Sequence, residues 1–113
     1  MRSLNNIFQT PSLPGDDEFS ELLAKGDVNI ERIISTGQIT PSDSWYDQEQ
    51  DEWVILLEGE ARLLFSGEDE ILLKKGDYLL IKAHEKHRVT YTSVHPSCIW
   101  LAVHGKLTSD SQY

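Results

Sequence analysis

Short apolar segments separated by turns recur along most of this chain, and no other feature constrains its fold as strongly. Several partly alternate apolar and polar residues, and Glu58-Gly59-Glu60 is typical of a tight hairpin turn. Strands this short, recurring about every ten residues, favour a β-sandwich or barrel over a parallel α/β sheet. The predicted strands are 28–35, 52–57, 61–65, 70–73, 78–81, 87–92 and 98–103. A chain of 113 residues with this pattern is predicted to form one all-β domain.

The segment before residue 28 has a different pattern. Residues 16–25 predict one short helix, because Phe19, Leu22 and Leu23 have the i, i+3, i+4 spacing of a buried helix face. Asp16, Asp17 and Glu18 begin this segment and suit the positive end of a helix dipole, and Gly26 stands where a helix cap is expected. The predicted organisation is an arm and short helix over 1–27, a barrel over 28–105 and a flexible tail over 106–113.

Charge and cysteine content narrow the function classes. The formal net charge of −9 argues against binding to nucleic acid or to an anionic membrane surface. No apolar stretch approaches the length of a signal peptide or a membrane span. Cys98 is the single cysteine, so no internal disulfide can form. These features predict a cytoplasmic protein.

Two polar residues open predicted strands and are the main candidates for chemistry. If Val54 and Leu56 face the interior, strand alternation places Glu52 on the same side. A carboxylate that faces inward needs a cation, a metal or a hydrogen-bond donor as its partner. His87 opens another strand, and the two side chains can meet at one end of a barrel, where they would suit a metal or a proton-transfer site.

Two half-motifs built on these residues resemble those of the cupin family. Glu52 is followed after six residues by Gly59, as at the end of the first cupin motif. The spacing from Gly76 to His87 is similar to that of the second motif. The resemblance covers residues 37–103, and the Trp-Tyr-Asp-Gln segment at 45–48 is most similar to small single-domain bacterial cupins. It implies a double-stranded β-helix, or jelly-roll, barrel.

The resemblance also implies a set of metal ligands, of which only part is present. Glu52 and His87 match family ligand positions, but the chain has no histidine before His84 where the first motif supplies two. Asp47, Gln48 or His84 would have to complete the set. Mixed nitrogen and oxygen ligands suit iron, manganese, nickel or zinc. If the protein is an enzyme, the resemblance implies metal-dependent oxygenation or isomerisation.

A metal-free pocket is the alternative, and the reaction and ligand stay open. In it, Glu52 and His87 would pair with each other or with Lys82 or Arg88. Either pocket is expected to take a small polar ligand. His95 and His104 are expected at the surface. The candidate pocket-lining aromatic residues are Trp45, Tyr46, Tyr91 and Trp100.

Apolar residues on both faces of the same strands indicate a partner. In the predicted strand 52–57, Trp53, Ile55 and Leu57 oppose the inward residues. A strand that is apolar on both faces is buried on both faces. Because one short helix cannot cover this outer stripe, a homodimer is expected.

Overall fold

A computed structural model describes residues 2–11 and 17–108, and it is an eight-stranded antiparallel β-structure in two sheets. One sheet has the strand order β1-β2-β8-β3-β6, and the other has the order β5-β4-β7. The described ranges contain no helix that could cross a membrane. The strands are β1 (Phe19–Lys25), β2 (Asn29–Ser35), β3 (Asp51–Glu58), β4 (Ala61–Phe65), β5 (Ile71–Leu73), β6 (Tyr78–Ile81), β7 (His87–Thr92) and β8 (Cys98–Gly105).

The hydrophobic core lies between the two sheets. Leu56 on β3 and Ala61 on β4 are fully buried, and Trp100 on β8 packs in the same cluster. Strand alternation sends one face of each strand inward, so the apolar residues of both sheets meet. This arrangement has the double-sheet jelly-roll architecture that the family resemblance implies, and it agrees with the sandwich or barrel that the strand pattern predicts.

The predicted N-terminal helix is wrong. Phe19–Lys25 forms β1, which pairs antiparallel with β2 from Phe19↔Ile34 to Lys25↔Asn29. Its proposed buried face is largely in solvent, since Leu22 is 54% exposed. The physical reason is that β2 offers an open edge, and ladder hydrogen bonds along that edge override the weak helical preference of a short segment. Asp16, where the helix was predicted to start, lies outside the described residues.

A buried arginine on the outer face of the five-stranded sheet is hydrogen-bonded to the N-terminal arm. Arg32 on β2 donates from Nη1 to the carbonyl oxygens of Ile7 (2.9 Å) and Gln9 (3.0 Å), and it forms an ion pair with Glu21 on β1. Its neighbour Ile33 faces the interior, so alternation directs Arg32 outward. The arm is therefore ordered by hydrogen bonds from one charged side chain.

Asp51, at the start of β3, ties two distant segments to the barrel. Its two carboxylate oxygens accept backbone hydrogen bonds from Ala83 and Leu107, each at 2.8 Å. The hydrogen bond from Leu107 is the main cause that lowers the pKa of Asp51 below its usual value, and the one from Ala83 lowers it further. A carboxyl group with a lowered folded-state pKa stabilises the fold above its unfolded pKa of about 3.9, and that stability is lost as the pH falls through the folded pKa.

We expect Asp51→Asn to make the stability of the fold less dependent on pH in the acid range. The variant loses one acceptor, so it should be less stable than the parent at pH 7, and the difference should shrink below about pH 4 as the parent protonates. Thermal unfolding midpoints from pH 7 to pH 3 measure this, with Asp69→Asn in the exposed β4–β5 turn as control. A constant difference across the range would contradict the role given to Asp51.

Candidate functional site

A cavity of about 170 Å³ opens between the sheets at one end of the barrel. Strands of both sheets and the 36–50 loop form its wall. Its lining residues are Glu18, Ser20, Glu31, Ile33, Tyr46, Gln48, Glu52, Val54, Leu63, Ile81, His87, Val89, Trp100 and His104.

The register of three neighbouring strands explains which residues face the cavity. On the inner face, Trp100 of β8 pairs with Ile33 of β2 and Leu56 of β3. Two residues further along β8, Ala102 pairs with Glu31 and Val54. Two residues further again, His104 pairs with Glu52. Polar side chains thus replace apolar ones toward one end of a single sheet face.

The long loop before β3 reaches the cavity because it pairs with β7. The backbone groups of Tyr46 and His87 exchange two hydrogen bonds, of 2.7 and 3.1 Å. Nearer the start of the loop, Thr40 and Val89 are also hydrogen-bonded to each other. This pairing brings Tyr46 and Gln48 into the lining.

His87 presents one defined nitrogen to the site. Its ring is 4% exposed and lies between those of Tyr46 and Phe65, with centroid distances of 5.5 and 5.6 Å. Nδ1 is 2.8 Å from the carbonyl oxygen of Glu85. Because a carbonyl only accepts, Nδ1 must carry the proton, and the neutral ring has its free lone pair on Nε2.

Glu52 is buried without a protein partner. It is 8% exposed, and its carboxylate makes no hydrogen bond or ion pair with any residue that the structure describes. Gln48 also contributes an unpaired group, since its Oε1 is buried with no hydrogen-bond partner among these residues. Buried polar atoms are normally paired, so each of these groups is available to a ligand.

Two further carboxylates on the wall were not singled out from the sequence. Glu18 lies just before β1 and accepts a 3.0 Å hydrogen bond from Ser35. Burial is the main cause that raises the pKa of Glu18, the hydrogen bond from Ser35 opposes the rise, and the charges of Glu31 and Glu52 add to it. Glu31 accepts from Ser20 at 3.1 Å.

His104, expected at the surface, lies instead on the cavity wall. Its Nε2 is 3.0 Å from Oε1 of Glu31, and its side chain is 19% exposed. The sequence held a signal for this position, because continuing the alternation of β8 from the inward Trp100 by four residues reaches His104. The same argument from Ile33 reaches Glu31.

Tyr46 completes the polar part of the lining. It is 44% exposed, so part of its ring remains open to solvent at the cavity mouth. Burial is the main cause that raises the pKa of Tyr46, the charges of Glu18 and Glu52 add to the rise, and a hydrogen bond with Thr40 opposes it.

Four of the candidate residues lie outside the cavity lining. His84 and Asp47 are largely exposed and bind each other, with 2.8 Å between Nδ1 and Oδ1. Trp45 stacks on Arg88, and Tyr91 stacks on Arg62, with distances of 5.5 and 5.7 Å from the guanidinium carbon to the ring centroid. The candidates that do line the cavity are Glu52, His87, Gln48, Tyr46 and Trp100.

This placement does not assemble the implied metal ligands. The portion of the chain that the structure describes contains no group of three His, Cys, Asp or Glu side chains able to hold a metal ion. His87 and Glu52 supply one imidazole and one carboxylate, whereas metal sites with an open position usually have three protein ligands. These two residues therefore supply two of the three protein ligands that such a metal site usually has.

Comparisons with known proteins agree with the architecture. Residues 33–104 match the family model described as Cupin domain. A crystal structure from Ralstonia eutropha, titled a putative mannose-6-phosphate isomerase, is 36% identical, with 94% of this chain and 100% of that chain covered and a TM-score of 0.87. A cupin superfamily protein from Desulfitobacterium hafniense is 22% identical over 86% of this chain and 84% of that one, with a TM-score of 0.70.

More distant matches show the fold alone. The iron(II) enzyme HppE, solved with its substrate, is 20% identical, with 75% of this chain and 52% of that chain covered and a TM-score of 0.62. No curated protein matches the sequence.

Proposed function

This chain belongs to the cupin family, and we propose that its cavity binds a small polar molecule directly through protein groups. The observation that carries the proposal is a set of polar groups that line the cavity without a protein partner among the described residues: the carboxylate of Glu52, Nε2 of His87 and the fully buried Oε1 of Gln48. Leaving such groups buried and unpaired costs stability. A ligand that pairs with them offsets this cost.

The size and walls of the cavity suit a compact ligand. An apolar cavity of about 150 Å³ accommodates benzene, so about 170 Å³ accommodates a ring with a short polar arm. Val54, Leu63 and Val89 supply apolar wall, and Glu52 and His87 supply polar groups to the same cavity. Ligand pockets commonly combine apolar walls with a few placed polar groups.

The lining of this cavity does not suit mannose 6-phosphate, the compound named for the Ralstonia relative. Mannose 6-phosphate carries a phosphate, and protein sites usually hold phosphate with Arg, Lys or backbone N–H groups. None of the cavity's lining residues is Lys or Arg. We therefore propose binding without assigning that reaction to this chain.

Nuclear magnetic resonance with benzyl alcohol as a neutral probe tests the proposal. We expect its addition to shift the indole N–H signal of Trp100, which lines the cavity, while the corresponding signals of Trp45 and Trp53 change little. His87→Phe should remove the shift, because it fills space and removes the acceptor nitrogen. A Trp100 signal that stays unchanged with benzyl alcohol and with its charged analogues benzylammonium and benzoate would overturn the proposal.

Direct binding competes with a second hypothesis, a divalent metal held by Glu52 and His87. These two residues favour it because both are buried, unpaired at the relevant atoms and on the same cavity. Protein purified without added metal should contain well below one ion of iron, manganese, nickel or zinc per chain. One retained ion per chain, lost in His87→Ala but kept in His84→Ala, would establish the metal hypothesis in place of direct binding.

The homodimer expected from the sequence stays a prediction. The outer face of β3 keeps Trp53, Ile55 and Leu57 only partly buried in the single chain, and Tyr78 on the neighbouring strand is 64% exposed. Such a surface favours association. Light scattering at micromolar protein is expected to give the mass of two chains, and the mass of one chain would contradict the prediction.

A further inference from the structure

We propose that the ligand of this cavity is a small organic cation, an amine or related group on a compact apolar body. The proposal rests on the proposed binding function and adds the ligand's charge. Three glutamates line the cavity, and Lys and Arg are absent from the lining. The wall therefore carries negative charge without a permanent positive charge to balance it.

Glu52 is the residue that most needs a cation. It is more than nine-tenths buried, faces the cavity and has no hydrogen bond or ion pair with any residue in the ranges 2–11 and 17–108. A buried carboxylate without a partner is costly, and the usual remedies are a positive charge or a strong donor. A ligand ammonium group supplies both.

The other two glutamates do not offset this charge. Glu18 is hydrogen-bonded to a neutral hydroxyl, that of Ser35, and Glu31 binds the hydroxyl of Ser20 and the imidazole of His104. Burial is the main cause that raises the pKa of Glu18, and the negative charges of Glu31 and Glu52 raise it further. Since Glu18 lines the same cavity, a ligand cation would favour its ionised form, and the carboxylates of Glu52 and Glu31 give the wall a negative potential that attracts a cation and repels a ligand carboxylate or phosphate.

The remaining walls suit the body of an organic cation rather than a fully hydrated ion. Ile33, Val54 and Leu63 face the same space as the glutamates. Trp100 and Tyr46 add aromatic surface, and aromatic faces attract organic cations. An apolar body can occupy the inner part while its amine reaches the carboxylates.

Two arginines that are adjacent in sequence to lining residues make their contacts outside the cavity. Arg32 points to the outer face and holds the carbonyl groups of Ile7 and Gln9. Arg88 donates to the carbonyl of Ser42 and stacks on Trp45. Neither lines the cavity, so neither compensates the glutamates there.

Three probes with the same ring and different charge test the proposal: benzylammonium, benzyl alcohol and benzoate. Each is titrated into the full chain at pH 7.5 with a chelator present, and the shift of the Trp100 indole N–H signal is followed. We expect benzylammonium to bind at least about tenfold more tightly than benzyl alcohol, with benzoate weakest. Glu52→Gln should weaken the binding of benzylammonium much more than that of benzyl alcohol, so that the preference for benzylammonium falls severalfold.

Glu58→Gln is the matched control, because Glu58 ends the same strand but lies outside the cavity lining. It removes the same charge from the chain, so an unchanged preference shows that the overall negative charge is not responsible. Equal binding of benzylammonium and benzyl alcohol, or tightest binding of benzoate, overturns the cation proposal and leaves the binding function standing. Absence of a response to all three probes overturns the binding function, and the cation proposal with it.

Discussion

Gly59→Ala is expected to lower the free energy of unfolding by about 2–6 kcal/mol, since backbone strain and overpacking each cost about 1–3 kcal/mol. Gly59 has φ +88°, in the left-handed region that favours glycine. A Cβ atom there would lie 2.8 Å from Oγ of Ser93, 2.9 Å from Sγ of Cys98 and 2.9 Å from the backbone oxygen of Ser97. Neither the backbone atom nor the buried cysteine can move away cheaply. Urea unfolding of the variant measures the loss.

Gly67→Ala separates the two causes. Gly67 also has a left-handed backbone, with φ +80°, but a Cβ atom there would meet no heavy atom within 4 Å. It should cost about 1 kcal/mol from backbone strain alone. Equal losses in the two variants would show that crowding at Gly59 contributes nothing.

Glu52→Met is expected to stabilise the fold by about 1–2 kcal/mol and to abolish binding of benzylammonium. The substitution replaces an unpaired buried carboxylate with an apolar side chain of similar length, and such replacements are often stabilising. Binding sites commonly give up stability for function in this way. Urea unfolding and the Trp100 titration measure the two effects on one sample. A destabilised Glu52→Met would mean that the carboxylate has a structural role.

Arg32→Met can be compared directly with Glu52→Met, because Arg32 and Glu52 are equally buried, each with 8% of its surface exposed. Arg32 is paired with backbone carbonyls and with Glu21, so its loss leaves buried acceptors without donors. We expect a loss of about 3 kcal/mol. Opposite signs for the two variants would show that pairing, rather than burial, decides the energetic effect of a charge in this barrel.

The barrel strands could be predicted because turn residues and period-two alternation are local signals. Every strand predicted from residue 28 onward is present, and no end differs by more than two residues. β1 could not be predicted in the same way. Its sequence carries a helical spacing, and what makes it a strand is the open edge of β2, which lies outside the segment itself.

The residues that line the cavity could be predicted only where the alternation of side chains along a single strand determines which way they face. Glu52 and His87 open strands whose next alternate residues are apolar, and both line the cavity. The pairing of Glu31 with His104 depends on the register between β2 and β8, and this register cannot be predicted from the sequence of either strand alone. Asp47 and Gln48 are adjacent, yet one faces outward and the other lines the cavity because of how the loop pairs with β7.

The position of β1 at the edge of its sheet has a consequence for the local stability of the cavity wall. β1 ends the sheet order and is hydrogen-bonded only to β2, and its pairing shifts at a bulge between Leu22 and Ala24. Edge segments with few buried contacts open at lower free energy than central strands. Hydrogen exchange at the amides of β1 is therefore expected to be faster than in β3 or β8. Because Glu18 and Ser20 belong to this part of the wall, we expect local opening of β1 to widen the cavity while the central strands remain folded.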